Sequence, residues 1–174
     1  MPATILHPGH LVGPGWVPIN PAGNFNTKVF EDLASGRVVR LPNFGMETLH
    51  HVHADDVAQA FVRAVEHPEA AIGESFHVVS PAAMTLRGYA EGMADWFGVA
   101  PRLEFAPYAE WRRDVADRDA AVTLDHLQHS PSCSIEKARV RLGYVPRYMS
   151  LAAVQESVTW LVQHGRLEAP TPGA

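Results

Sequence analysis

Between Pro8 and Gly23, half of the sixteen residues are Pro or Gly, so neither a helix nor an unbroken strand can cross that span. The chain must begin with a short element, pass through a long loop, and build its core from residues beyond Gly23. The short element is the apolar run Ala3–Leu6, which reads as a buried strand ended by His7-Pro8-Gly9. A loop as long as 8–23 inside a compact domain is either functional or a rigid connector.

Beyond the loop, helical and alternating patterns take turns. Phe25, Val29, Phe30 and Leu33 fall at helical spacing and predict a helix over 24–35, stopped by Gly36. Residues 37–41 and 49–53 read as strands on either side of the turn Pro42-Asn43-Phe44-Gly45. Asp56 with Gln59 forms a capping-box pattern for a helix whose face would be Val57, Phe61, Ala64 and Val65. Residues 75–79 and 103–105 read as short strands. Thr85 starts a helix with Leu86, Tyr89, Met93, Trp96 and Phe97 inward and Gly98 at its end. Residues 108–128 hold one or two helices. Ser134 and Ser150 are read as starts of two more, closed by Gly143 and Gly165. Strands alternate with helices early and helices dominate later, so the class is α/β. Residues 1–168 are taken as a single partial domain and 169–174 as a flexible tail.

Composition narrows the function. With 174 residues, 47% hydrophobic and 19% charged, the chain fits one folded domain or a large piece of a bigger one. The net charge of -5, with no cluster of Lys and Arg, argues against nucleic acid as a partner. No apolar run approaches the ~20 residues of a membrane span, so no membrane partner is expected. The single cysteine, Cys133, excludes an intrachain disulfide and suits a reducing compartment, most simply the cytoplasm. Without a basic neighbour in sequence, Cys133 reads as structural.

Two clusters could carry chemistry. In His50-His51-Val52-His53-Ala54-Asp55-Asp56, His51 and His53 would share one face of a strand, with Asp55 as a third metal ligand. The string is close to H-x-H-x-D-H, the metal motif of the metallo-β-lactamase fold, but Asp56 stands where that motif has its last His. The plainer reading makes Asp56 a helix cap and His53 a hydrogen-bonded strand end. The second cluster, His7, Pro8, Gly9, His10, Asn20, Asn24 and Asn26, lies at the carboxyl end of the first strand. Open α/β sheets bind ligands there. No G-x-G-x-x-G, P-loop or G-x-S-x-G occurs in the chain.

Three segments together resemble one family. Thr4-Ile5-Leu6-His7-Pro8-Gly9-His10-Leu11-Val12-Gly13-Pro14-Gly15 is similar to the strand and loop after the catalytic helix of extended short-chain dehydrogenases, the NAD-dependent epimerase/dehydratase family. Val52-His53-Ala54-Asp55-Asp56-Val57-Ala58 resembles its H-V-D-D-V-A. Ser134–Ala138 and Leu142–Pro146 resemble its S-x-x-K-A and L-G-Y-x-P. The resemblance implies the carboxyl-terminal, substrate-binding portion of an extended Rossmann-type fold, lacking the amino-terminal dinucleotide-binding half. The Gly-rich loop and the Y-x-x-x-K pair belong to that half. Four residues after Tyr89, Tyr108, Tyr144 and Tyr148 stand Met93, Arg112, Tyr148 and Ala152, so no tyrosine here is followed by the required Lys.

Under this resemblance Pro8 and Gly9 lie beside the nicotinamide of NAD or NADP, while His10, Asn24 and Phe25 help to place a small-molecule substrate. No catalytic residue and no metal ligand is assigned. Leu49 and His50 stand where sugar-nucleotide epimerases often carry R-D, so the charge-assisted grip on a diphosphate is missing. The expected function is the substrate-binding half of an NAD(P)-dependent oxidoreductase, not catalytically complete alone. The alternatives are a non-catalytic ligand-binding or interaction module, and a metal-dependent hydrolase using His51, His53 and Asp55. A half-fold would leave one side of its first strand unpaired, so self-association or an amino-terminal partner half is expected.

Overall fold

The computed structural model describes residues 2–170. Two cores organise it. The smaller is built on a parallel pair of strands, β1 (Ile5–Pro8) and a later strand, Ser75–Val78, in the register Ile5↔Ser75 to Pro8↔Val78. The first strand does not stop at His7. It breaks only at Gly9 and resumes as β2 (His10–Val12), because the chain there exchanges one partner for another. The Gly9 N–H donates to Val78 O at 3.1 Å, and the His10 N–H donates to His50 O at 2.9 Å.

After the Pro/Gly-rich loop comes α1 (Lys28–Ala34), which starts later than the spacing suggests. Asn20, Asn24 and Asn26 bind one another and the turn backbone, holding residues 20–27 out of helical conformation. Next come β3 (Val39–Pro42), β4 (Thr48–Leu49) and β5 (His51–His53), the last pairing in parallel with β2. Helix α2 (Ala54–Glu66) and the short α3 (Pro68–Ala71) lead to β6 (Ser75–Val78), the partner of β1. β7 (Met84–Thr85) pairs antiparallel with β4, and α4 (Leu86–Trp96) succeeds it. β8 (Leu103–Ala106) pairs in parallel with β3. The remainder is α5 (Tyr108–Trp111), a 3₁₀ turn at Arg112–Asp114, α6 (Asp117–His129), α7 (Glu136–Leu142) and α8 (Ser150–Gln163).

The larger core joins α1, α4 and α8 to β3 and β8 around Phe30, Leu41, Tyr89, Met93, Trp111 and Val158. Helix α4 forms as its sequence dictates: Thr85 accepts from the Gly88 N–H at 3.0 Å, and Leu86, Tyr89 and Met93 are buried. Gly98 and Gly143 end their helices with positive φ, 74° and 68°.

Two expected caps are not caps. His53, not Asp56, is the N-cap of α2, its Nδ1 accepting from the Asp55 N–H at 3.1 Å. Asp56 is fully buried one turn in and accepts from the Arg147 and Tyr148 N–H groups at 2.8 and 3.2 Å. Ser150 is the buried first residue of α8 rather than its cap, its hydroxyl 2.5 Å from Ser80 Oγ. In both cases a distant partner outcompetes the local one.

The first strand is also less buried than expected. Leu6, Phe76 and Val78 face α2, α3 and α7 and form the smaller core with Val52, Ala60 and Leu142. On the opposite face Ile5 is 55% exposed, and His7, Ser75 and His77 are exposed as well. Parallel sheets are ordinarily covered on both faces. Here β1–β6 is covered on one, and among the described residues β1 pairs along one edge only. Helix α2 shows the same openness. Phe61 and Val65, expected inward, lie on the exposed side with Ala58 and Val62. Ala169 packs against the larger core; residues 171–174 of the expected tail lie outside the described residues. Among the described residues no helix is long and apolar enough to cross a membrane.

Candidate functional site

At the carboxyl ends of β1 and β6 a cavity of about 380 Å³ opens, lined by His7, Pro8, Gly9, His10, His50, His77, Val79, Pro131 and Cys133. Gly9 is required where it stands. A Cβ on it would lie 2.3 Å from the His50 carbonyl oxygen and 3.0 Å from Val79 Cγ1, so any side chain would force the β1–β2 junction away from the backbone just before β5.

The histidines around this cavity have different chemistry. His50 accepts from the Cys133 N–H at Nδ1, 3.2 Å away, and its Nε2 lies 2.9 Å from Ser80 O. Those partners fix a neutral imidazole with the proton on Nε2. Burial lowers its pKa, against the raising effect of the Ser80 bond. His10 is tilted between His51 and His126, with ring centroids 5.6 and 5.0 Å away. Desolvation, then the His126 and His50 imidazoles, lower its pKa to about 4, so it is neutral at physiological pH. Its Nδ1 is buried without a hydrogen-bond partner among the described residues. His51 is wholly buried against Tyr89, and desolvation followed by His10 lowers its pKa to about 3. The Ile19 carbonyl favours its charged form without reaching hydrogen-bond geometry, which leaves both ring nitrogens unpartnered among the described residues. His7 and His77 are exposed at the mouth, 6.0 Å apart.

The structure brings Pro8, Gly9 and His10 together, but not directly with Asn24 and Phe25. Asn24 is buried in the turn before α1, its amide donating to Thr123 Oγ1 at 3.1 Å and its carbonyl accepting from Asn20 and the Asn26 N–H. It lines a separate cavity of about 310 Å³ with Arg40, Trp111 and Asp119. Phe25 is 52% exposed and packs edge-on to His126 at 6.3 Å. Helix α6 links the two groups. Thr123 holds Asn24, and His126, whose Nδ1 lies 2.8 Å from Gly23 O, sits between His10 and Phe25. Thr123 and His126 escape a reading of the sequence because the helical phase of 108–128 is not fixed by its apolar residues. Their three-residue spacing, which shares one helix face, is the available signal. His77, Pro131 and Cys133 carry no local signal at all.

The metal cluster expected as an alternative does not assemble. His53 stacks on Tyr148 at 3.9 Å, caps α2 with Nδ1 and places Nε2 2.6 Å from Glu156. His51 points into the core. Among the described residues no three His, Cys, Asp or Glu side chains converge to hold a metal ion. The tyrosines offer little more. Tyr89, Tyr108 and Tyr144 each donate their hydroxyl to a backbone carbonyl. Burial pushes the Tyr89 and Tyr144 hydroxyls further from ionisation.

Residues 1–78 match the model of the NAD dependent epimerase/dehydratase family, which bears out the resemblance carried by the two motifs within that span. A curated relative, chloroplast stem-loop binding protein of 41 kDa b from Arabidopsis thaliana, is 28% identical over 154 residues, which is 88% of this chain and 38% of the relative. Among solved structures, UDP-glucose 4-epimerase from Thermotoga maritima superposes with a TM-score of 0.63 at 17% identity, over 94% of this chain and 47% of that one. UDP-glucuronic acid 4-epimerase from Bacillus cereus, solved with UDP-glucuronic acid and NAD, superposes with a TM-score of 0.65 at 16% identity, covering 94% and 46%. At such identities these neighbours establish the α/β fold they share with this chain. The chain spans less than half the length of each of these three proteins.

Proposed function

We propose that this chain, which spans less than half the length of the three relatives described above, is the substrate-binding half of an NAD(P)-dependent oxidoreductase. It completes its site against a dinucleotide-binding half. The observation that carries the reading is the bare face and open edge of β1–β6, directly beneath the cavity lined by Pro8, Gly9 and His10. A second α/β layer laid on Ile5, His7, Ser75 and His77, with a strand beside β1, would give this parallel sheet the cover such sheets need.

The residues fit one end of the cofactor. The cavity is roomy enough for a nicotinamide ring, and the unpartnered Nδ1 of His10 leaves hydrogen-bonding capacity at its wall. No Gly-rich turn here fits the pyrophosphate, and no Tyr–Lys pair supplies proton transfer. When bound, the nicotinamide would supply hydride exchange with a hydroxyl- or carbonyl-bearing carbon. The chain's own residues shape the seat. Gly9 lets the backbone approach, neutral His10 offers a hydrogen bond, and α6 ties the Asn24–Phe25 turn to it. The cavity lining includes no Lys, Arg, Asp or Glu, which favours an uncharged portion of a small-molecule substrate. The Arabidopsis relative is named for stem-loop binding. A net charge of -5 does not favour that role for this chain.

Nicotinamide mononucleotide titrated into the labelled chain tests the seat. The amide signals of Gly9, His10 and Val79 are expected to shift, and Gly9→Ala is expected to abolish those shifts while costing about 1–3 kcal/mol of stability. Shifts confined to other segments, or unchanged in Gly9→Ala, would contradict the assignment.

A further inference from the structure

We propose that His7 and His77 form a two-imidazole chelate for a divalent late transition metal, Cu²⁺ most strongly, at the mouth of the cavity. The two residues are direct partners in the parallel register of β1 and β6. Their side chains therefore leave the sheet on the same face, the bare one. Both are exposed, and among the described residues neither ring's nitrogens are engaged in a hydrogen bond, unlike His50, whose two nitrogens are held by Cys133 and Ser80. The rings stand edge to face with centroids 6.0 Å apart. Metal–imidazole bonds of about 2.0–2.1 Å bring two cis nitrogens to roughly 3 Å from each other. Exposed rings on adjacent strands reach that separation by side-chain rotation alone, with the backbone fixed.

Imidazole suits copper, nickel and zinc, and the order of affinities places Cu²⁺ first. Since no third ligand of the described chain converges on the pair, the remaining positions go to water. The site is thus open and exchangeable in the isolated chain, where the face that the second layer would cover is bare. It differs from the His51–His53–Asp55 arrangement, which faces elsewhere and does not assemble. The inference goes beyond the proposed docking and does not depend on it, because it concerns the chain alone.

The test is titration of the chain with CuCl₂, read by calorimetry and by the nitrogen hyperfine pattern of the bound Cu²⁺. One tight equivalent with two equatorial imidazole nitrogens is expected. His7→Ala and His77→Ala should each weaken it about a hundredfold, as expected when a chelate loses one arm. The double variant should be little worse than either single one. His129→Ala, at an exposed histidine on α6, should leave it unchanged. Both site residues are exposed, so unaltered circular dichroism is expected and separates site loss from unfolding. Binding that survives in His7→Ala or His77→Ala, or is lost in His129→Ala, would overturn the proposal.

Discussion

Acidification from neutral pH to about 4 is expected to destabilise the fold by several kcal/mol. His10 and His51 are neutral in the folded protein, with pKa values lowered to about 4 and about 3, chiefly by burial. In the unfolded chain both return to roughly 6.5. Between those limits the unfolded state binds more protons, so stability is full above about pH 6.5 and falls as pH drops toward the folded values. His51 alone accounts for on the order of 3–5 kcal/mol across that window. The groups around the pair, His50, His126 and Tyr89, include no carboxylate that would hold a protonated ring. Urea unfolding at pH 7.5 and 5.0 measures the loss. His51→Leu leaves no bonded partner stranded, because neither ring nitrogen is hydrogen-bonded. It is therefore expected to flatten the profile. A native profile as flat as the variant's would contradict the assignment of the acid sensitivity to these two rings.

The second large effect is expected at Asp56. Asp56→Ala removes the buried acceptor of two part-buried backbone N–H groups, at Arg147 and Tyr148, and leaves both without that partner. The expected cost is about 2–5 kcal/mol. Asp56→Asn keeps one oxygen and should cost less. The neighbouring Asp55 serves as the control. It meets the Arg147 guanidinium at 3.0 Å with both side chains largely exposed, so Asp55→Ala should cost under about 1 kcal/mol. Equal losses at the two aspartates would mean that the buried clamp between α2 and the start of α8 is not what holds this region.

That contrast also shows where sequence reasoning reaches its end. Adjacent aspartates before an apolar helix look alike in sequence. Only the fold brings the backbone N–H groups of Arg147 and Tyr148 to one of them. Helix α4 is legible because Thr85, its inward residues and Gly98 act within one element. Pro8, Gly9 and His10 are legible as candidates that line one cavity because they sit at a strand end beside breakers. The strand's continuation past Gly9 is not, since it depends on β5 arriving from 40 residues away. The apolar exposed side of α2 reads as inward for the same reason. Periodicity reveals a face but not what covers it, and Phe61 and Val65 have no cover among the described residues.

If β1–β6 is a surface meant to be covered, the isolated chain should betray it. Sedimentation equilibrium of that chain, read beside its thermal melt at the same dilution, tests this most directly. Concentration-dependent self-association, or a broad, weakly cooperative melt in the monomer, is the expected result. A chain that stays sharply monomeric and melts in one cooperative step in dilute solution would contradict it.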